Sequence, residues 1–349
     1  MSKRYYCTYF DRNYLVRGLS LISSLNRHES SFTIFVVCLD ELTRIILKKL
    51  DLSNVILVPL HEVEERDIAL SAARQNRSVV EYYWTLTPSI ILYLIGTHRL
   101  EKLTYLDSDL FFFSSPEPIF QEMGKSSILI HAHRFSDKTR WMDIFGIYNV
   151  GLMIFKNNAD GLSCLKWWRD QCNRWCYHKI EDGKYGDQLY LNQFPHLFNN
   201  VHILQHPGAG VAPWNHDQYK IVKESATGTI FVDGYPLVVY HYHSLKFFQP
   251  NIIFPICSSS YDFSKGILEI CYLPYLYSLH ESIAAVWGII GDYAFGLFDS
   301  SIYNAPLVAT KNCHSGISAI NESEWYSLDE VWNYYGLFIE CPQASPTYP

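Results

Sequence analysis

Residues 103–113 read Leu103-Thr-Tyr105-Leu-Asp107-Ser-Asp109-Leu-Phe-Phe-Phe113. A short apolar strand, Leu103 to Leu106, runs into two carboxylates two positions apart, and a second apolar run follows. In extended chain, residues i and i+2 share a face, so Asp107 and Asp109 can reach one cation. Hard oxygen ligands of this kind suit Mg²⁺ or Mn²⁺ bridging a diphosphate. The competing reading is a turn or helix cap after a strand, because Asp is a common turn residue. Position argues for the first reading: open α/β sheets bind ligands outside the carboxyl ends of their strands.

Outward from this stretch, strands and helices alternate. Arg4 to Tyr9 is β-rich, and Tyr14 to Leu25 carries Leu15, Leu19, Ile22 and Leu25 at the spacing of a helix face. Phe32 to Leu39 is a continuous apolar run ending in Asp40, Leu42 to Leu50 is helical, and Val55 to Leu60 is a third strand. Glu81 to Leu94 predicts a helix leading into the strand before Asp107. Later strands are expected at Ile128–His131, Val150–Phe155 and Leu237–Tyr242, with helices at Gly161–Tyr177 and Asp187–Phe194. The pattern predicts an α/β fold, a mostly parallel sheet with helices on both faces. Residues 251–349 differ: aromatic-rich, with Pro and Ser clusters, they read as a mainly helical or irregular appendage whose best helical segment is Leu268–Tyr293, interrupted near Pro274.

Composition sets bounds on function. The chain has 349 residues, 48% hydrophobic and 18% charged, enough apolar material for a large core, which excludes a disordered or low-complexity class. A net charge of −7 without a basic run argues against nucleic-acid binding. Nine cysteines without a CxxC pair read as reduced thiols rather than a disulfide framework. The N-terminus lacks a signal-peptide pattern, and the longest uncharged apolar stretch falls short of the ~20 residues a membrane span needs. The expected location is therefore cytoplasmic, with peripheral contact at the inner face of a membrane left open.

Five motifs in order carry a resemblance: Tyr9…Asn13-Tyr14…Leu19; Tyr105-Leu-Asp107-Ser-Asp109; Asn149-Val-Gly151-Leu-Met-Ile-Phe155; Asp187-Gln188-Leu-Tyr-Leu191-Asn192; and His241-Tyr-His243-Ser-Leu-Lys246. Over residues 4 to 250 the chain resembles glycosyltransferase family 8 and its near relatives of the GT-A fold. The resemblance implies a Rossmann-like GT-A unit over residues 1–250 and a metal-dependent hexosyltransferase. Such an enzyme moves sugar from a nucleotide sugar, expected to be a UDP-sugar, to a glycan, glycolipid or protein, with retention of configuration. It implies that Asp107 and Asp109 bind Mn²⁺ or Mg²⁺ with His241 or His243 completing the site, and that Lys246 contacts the leaving diphosphate. Asp187 and Gln188 fall beside the anomeric carbon, and Asn149 and Gly151 near the donor sugar. Thr8, Tyr9, Asp11 and Asp40 fall where the nucleotide lies.

The chain departs from the family pattern at its last motif, where Ser244 replaces a glycine and Phe247-Phe248 follow Lys246. Where the family often has an arginine before the acidic pair, Arg74 and Arg77 are the nearest candidates.

Other clusters have two readings. Pro213-Trp214-Asn215-His216-Asp217 joins a flat ring to hydrogen-bonding side chains, the composition of a sugar-binding surface, so Trp214 is a donor-binding candidate; otherwise it packs a loop. His131 and His133 at i, i+2 suggest a second metal site less strongly than a loop contact. Cys164, Cys172, Cys176 and His178 lack zinc-site spacing and read as buried thiols. Two rival functions remain at this level: a sugar- or partner-binding protein on a degenerate transferase fold, and a sugar-nucleotide nucleotidyltransferase. The second normally has a glycine-rich phosphate loop after its first strand, and Thr8 to Arg17 contains no glycine. The aromatic residues after Phe247 suggest an acceptor surface, a homo-oligomer contact or a lipid-facing patch.

Overall fold

Strands apolar on both faces belong at the centre of a sheet covered by helices, and β2 (Phe32–Cys38) is buried at every position. The computed structural model describes residues 3–249, 252–255, 261, 263–291 and 295–296. Its main sheet has seven strands: β1 (Arg4–Phe10), β2, β3 (Val55–Pro59), β4 (Lys102–Leu106), β6 (Ile128–Ala132), β7 (Tyr148–Lys156) and β8 (Val201–Leu204), in the order β3-β2-β1-β4-β7-β6-β8. Between β4 and β6 the chain forms the short β5 (Leu110–Phe112). Strand β7 runs antiparallel to both its neighbours and the other pairings are parallel. The mostly parallel α/β sheet is thus as the alternation predicts.

Helices cover both faces. On one side lie α1 (Leu15–His28) and α2 (Glu41–Leu50), burying Leu15, Ile22, Ile46 and Leu47. On the other lie α3 (Leu60–Arg66), α4 (Ile68–Ala73) and α5 (Val79–His98), burying Val63, Leu70, Leu86 and Ile90. The short α6 (Glu117–Met123) joins the first face, and α7 (Ala159–Arg174) and α8 (Phe194–Leu197) join the second. Their starts are set by local chemistry. Asp40 accepts from Thr43 N to cap α2, Asn158 caps α7, and Ser78 with Glu81 forms a capping box that starts α5 two residues earlier than its apolar pattern suggests.

A second sheet of three strands, β5 with β9 (Ala209–Val211) and β13 (Val239–His241), sits at the edge of the main one. Strands β10 (Ile221–Lys223), β11 (Ile230–Val232) and β12 (Tyr235–Pro236) form a small antiparallel sheet before β13. These strands are two or three residues long, too short for periodicity to mark them, and only β13 falls in a strand expected from sequence, Leu237–Tyr242.

The expected strand over Leu237–Tyr242 ends at His241 instead. Tyr242 N bonds to Asp109 O (2.9 Å) and Ser244 turns the chain at φ 66°, leading into β14 (Leu245–Gln249), which pairs with β15 (Ile252–Pro255). The expected helix at Asp187–Phe194 is a 3₁₀ turn over Leu189–Gln193 continued by α8.

Most of residues 251–349 lie outside the described set, so the expected appendage is seen only in part. A π-turn at Leu268–Tyr272 leads without a break into the helix Leu273–Ile290, so the interruption expected near Pro274 is a local change of helical pitch just before it. Tyr272, Tyr275, Leu279, Ile283 and Val286 pack into the same core as α1. Among the described residues no helix is long and apolar enough to cross a membrane.

Candidate active site

From β1 the chain winds outward to β2 and β3, and from β4 it continues to the other side. Strands β1 and β4 are therefore the topological switch point of the sheet, where adjacent crossovers diverge and leave a crevice at the strands' carboxyl ends. Asp107 and Asp109 follow β4 into that crevice. Asp107 N donates to Gly151 O of β7 (2.8 Å), and Leu110 N closes a turn onto Asp107 O (3.3 Å). The acidic pair therefore occupies both proposed roles at once: a turn after a strand, and two carboxylates converging.

The third member comes from a distant strand. Register pairs His241 with Leu110 across β13 and β5, placing its Nε2 3.1 Å from Asp109 Oδ1 and 3.8 Å from Asp107 Oδ2. One donor atom from each of Asp107, Asp109 and His241 lies within 4.8 Å of the others, a grouping able to hold a metal ion. His243 lies past the end of the strand, exposed, and packs edge-on to Trp214 at 5.6 Å. Of the two histidines, the structure brings His241 to the acidic pair.

Charge within the trio is uneven. Burial opposes ionisation of Asp109, but His241 beside it, by charge and hydrogen bond, outweighs that and draws its pKa down to about 2. Burial likewise opposes a charged His241, and Asp109 and Asp107 overcome it, so its pKa is raised. Asp107 goes the other way, raised by burial and by Asp109 despite His241. Two carboxylates and one imidazole form a mixed oxygen and nitrogen donor set suited to Mn²⁺ or Mg²⁺. His241 Nδ1 is buried without a hydrogen-bond partner. The residues present fit a divalent cation. The Tyr105 hydroxyl donates to Asp107 Oδ1 at 2.6 Å and orients it; its i, i+2 position was the sequence signal for this, and the residue-type reading missed it.

Asp187 and Gln188 reach the crevice from the turn before Leu189. Burial and the negative charge of Asp107 push the Asp187 carboxyl up to about 8, and the Thr87 hydroxyl of α5 lies 3.3 Å from its Oδ2. Gln188 is partly exposed; its Nε2 donates to Phe145 O (3.2 Å), and its Oε1 faces Asn149 Nδ2 (3.4 Å). Asn149 is buried with Oδ1 bound to Gly151 N (2.8 Å). Gly151 has no room for a side chain: an added Cβ would stand 2.6 Å from Asn149 Oδ1 and 2.9 Å from His241 Cε1.

Of the residues expected to meet the nucleotide, Thr8 is fully buried with its hydroxyl unpartnered, and the Tyr9 hydroxyl donates to Tyr83 O (2.8 Å). Asp11 accepts from Asn13 N (2.9 Å) and the Tyr83 hydroxyl (3.1 Å), and Asp40 accepts from Arg12 N (2.7 Å) while capping α2. The four residues cluster at the ends of β1 and β2. The two arginines considered from sequence are engaged elsewhere, Arg74 with Glu64 (2.8 Å) and Arg77 over the Tyr177 ring at 3.9 Å. Trp214 is 3% exposed, with its indole N–H on His133 O (2.9 Å) and its ring edge-on to His241 at 5.2 Å, so it packs as a buried brace rather than an open sugar-binding face. Lys246 lies on β14, and its side chain is outside the described set. Cys164, Cys172 and Cys176 are buried free thiols, as their spacing predicts.

No family model matches the chain. Among individual proteins, the uncharacterized protein YfnF of Bacillus subtilis (strain 168) is 31% identical over 256 residues, 71% of this chain and 84% of YfnF. The chain belongs to the YfnF family. YfnD of the same strain is 29% identical over 300 residues, covering 85% of this chain and 95% of YfnD. Among solved structures, the apo bifunctional glycosyltransferase WbbM superposes with a TM-score of 0.50 at 15% identity over 81% of this chain. The alignment spans about half of WbbM (51%). At that identity the likeness speaks for the fold: this YfnF-family chain has a glycosyltransferase fold of the GT-A type.

Proposed function

We propose that this YfnF-family protein is a metal-dependent glycosyltransferase that moves a hexosyl group from a nucleotide sugar, with a UDP-sugar the expected donor, to a glycan, glycolipid or protein acceptor. The observation that carries the reading is the convergence of Asp107, Asp109 and His241 at the switch point of a glycosyltransferase fold. Asp187 and Gln188 lie beside the trio, close enough for the Asp107 charge to raise the Asp187 pKa.

Asp107, Asp109 and His241 would hold Mn²⁺ or Mg²⁺. When bound, the cation supplies Lewis-acid stabilisation of charge on the departing diphosphate. The chain's own residues do the rest. Thr8, Tyr9, Asp11 and Asp40 hold the nucleotide at the ends of β1 and β2. Lys246 adds an ammonium toward the diphosphate in this reading. Glycosyl transfer passes through an oxocarbenium-like transition state, and the amide oxygen of Gln188 or the carbonyl oxygen of the Asp187 carboxyl stabilises that positive charge from one side of the sugar. Retention of configuration follows if the acceptor attacks from the face the diphosphate leaves, where a phosphate oxygen accepts its proton and no side-chain base is needed. Residues 251–349 are assigned to the acceptor side.

Donor hydrolysis with Mn²⁺ across a panel of UDP-, GDP- and ADP-sugars tests this. Asp109→Asn should reduce turnover by about a hundredfold or more while the variant still melts cooperatively in chelator. A wild-type protein that binds nucleotide but hydrolyses none of the donors points instead to a binding module.

A further inference from the structure

The pair of histidines on β6 and the loop after it drew attention from sequence as a metal site or loop contact, and neither describes His133. The residue is 4% exposed, its ring stacked on Phe135 at 4.5 Å with an 8° interplanar angle, and its backbone carbonyl accepts from Trp214 Nε1 (2.9 Å) and Asn215 Nδ2 (2.7 Å). Backbone and ring are both held.

The polarity of its side-chain bonds is fixed by groups that cannot change theirs. Gly151 N–H only donates, so the Asn149 atom it meets at 2.8 Å is Oδ1. The other end of that amide is therefore NH₂, and it meets His133 Nε2 at 3.1 Å and Gln188 Oε1 at 3.4 Å. Nε2 must accept, which puts the imidazole proton on Nδ1. Nδ1 faces Ile147 O at 3.2 Å, a carbonyl that only accepts, so the assignment closes without conflict. At the far end Gln188 Nε2 donates to Phe145 O at 3.2 Å. Three backbone groups of fixed polarity, at Gly151, Ile147 and Phe145, thus set the direction of every bond in a chain running His133–Asn149–Gln188.

We propose that His133, as the neutral Nδ1–H tautomer, is a positioning residue that holds the Gln188 side-chain oxygen in place through Asn149. The proposal rests on the reading of Gln188 as the group beside the sugar. Without the Nε2 acceptor, Asn149 keeps Oδ1 on Gly151 N and Gln188 keeps Nε2 on Phe145 O, so neither amide inverts; what is lost is the nearer partner of the Asn149 NH₂, which is then no longer held against Gln188 Oε1. A Gln188 oxygen that is no longer held in place stands less well against a carbon developing positive charge. Burial favours the same state, pushing the His133 pKa down to about 3, so the ring does not carry the proton that would oppose the Asn149 NH₂.

Three substitutions separate orientation from packing. His133→Gln can place an amide oxygen where Nε2 stood, whereas His133→Asn reaches only as far as Nδ1. His133→Phe keeps the ring stack and supplies no acceptor. Donor turnover by the full-length protein with Mn²⁺ should fall roughly tenfold to a hundredfold in His133→Asn and His133→Phe. The KM for donor should move less than about threefold, and His133→Gln should stay within about threefold of the wild type. Equal losses in the Gln and Asn variants, or wild-type turnover in all three, overturn the proposal.

A second readout does not depend on activity. Long-range ¹H–¹⁵N spectra of histidine-labelled protein at pH 7 should show His133 protonated at Nδ1. The Gln188 side-chain amide resonances, identified by their loss in Gln188→Glu, should keep their positions in His133→Gln and move in His133→Asn. An Nε2–H tautomer, or unmoved Gln188 resonances in His133→Asn, refutes the relay even if no nucleotide sugar is turned over.

Discussion

Asp187 shows how one side chain's surroundings set its chemistry. A carboxyl whose pKa is raised to about 8 in the fold and ordinary in the unfolded chain holds its proton longer when folded. Below the unfolded pKa both states are protonated and nothing is lost. As pH rises from about 4 to about 8 the unfolded chain ionises first, so folded stability declines across that window and levels off above it. Asp187→Asn removes this loss. In chelator, its melting temperature relative to the wild type should climb between pH 4 and pH 8, by the equivalent of a few kcal/mol. Parallel stability curves for the two proteins would mean that the carboxyl is not held protonated. Of the site residues, the acidic pair, Asp187, Gln188 and the 241/243 histidines were all legible in the sequence, because their letters sit beside apolar strands in recognisable order. Tyr105 and Thr87 were not read as candidate site residues, and His133 was read only as a loop contact or second metal ligand, since each meets another polar side chain, a relation that exists only in three dimensions.

Strand β7 connects the two halves of the site. It is the one strand running against the rest of the main sheet, and it presents Asn149 toward Gln188 and the Gly151 carbonyl toward Asp107 N. Gly151 is squeezed between Asn149 and His241. Gly151→Ala should cost roughly 1–3 kcal/mol in urea unfolding, through overpacking against two side chains that are themselves hydrogen-bonded. It should also weaken Mn²⁺ binding measured by calorimetry, because the methyl group pushes on the His241 ring. Unchanged stability together with unchanged metal affinity would show that the strand yields there. That β7 is a long apolar strand was evident from its residues. Its direction was not, since period and apolarity are the same for parallel and antiparallel strands buried on both faces.

For the whole molecule, the described part of the segment after residue 250 is joined to the rest. The helix Leu273–Ile290 packs on α1, where Ser20 Oγ meets Ser282 Oγ at 3.1 Å and Arg27 meets Glu281 at 3.2 Å. Behind β13, Tyr242 stacks on Tyr275 with ring centroids 3.7 Å apart, and Tyr240 meets Tyr272 edge-on at 5.7 Å. Part of the aromatic excess after Phe247 is therefore core that backs the strand carrying His241. Leu279 is fully buried there, and Leu279→Ala should cost about 2–5 kcal/mol. With one shared core the loss should appear in a single urea transition followed by both tryptophan fluorescence and far-UV circular dichroism. A separate early transition would mean that this helix unfolds as its own unit.

By itself the sequence determined the α/β class, the carboxylates at the end of a buried strand and the order of the motifs, because periodicity, burial pattern and residue chemistry are local properties. Tertiary structure decided which of two histidines meets the acidic pair. It also decided that Trp214 is a brace, and that His133, Asn149 and Gln188 form one hydrogen-bonded line. The first outcome depends on register between strands more than 100 residues apart and on where a turn at Ser244 ends a strand, the others on contacts between separate strands and loops. No local pattern encodes the distance between two side chains that meet only when the sheet has closed.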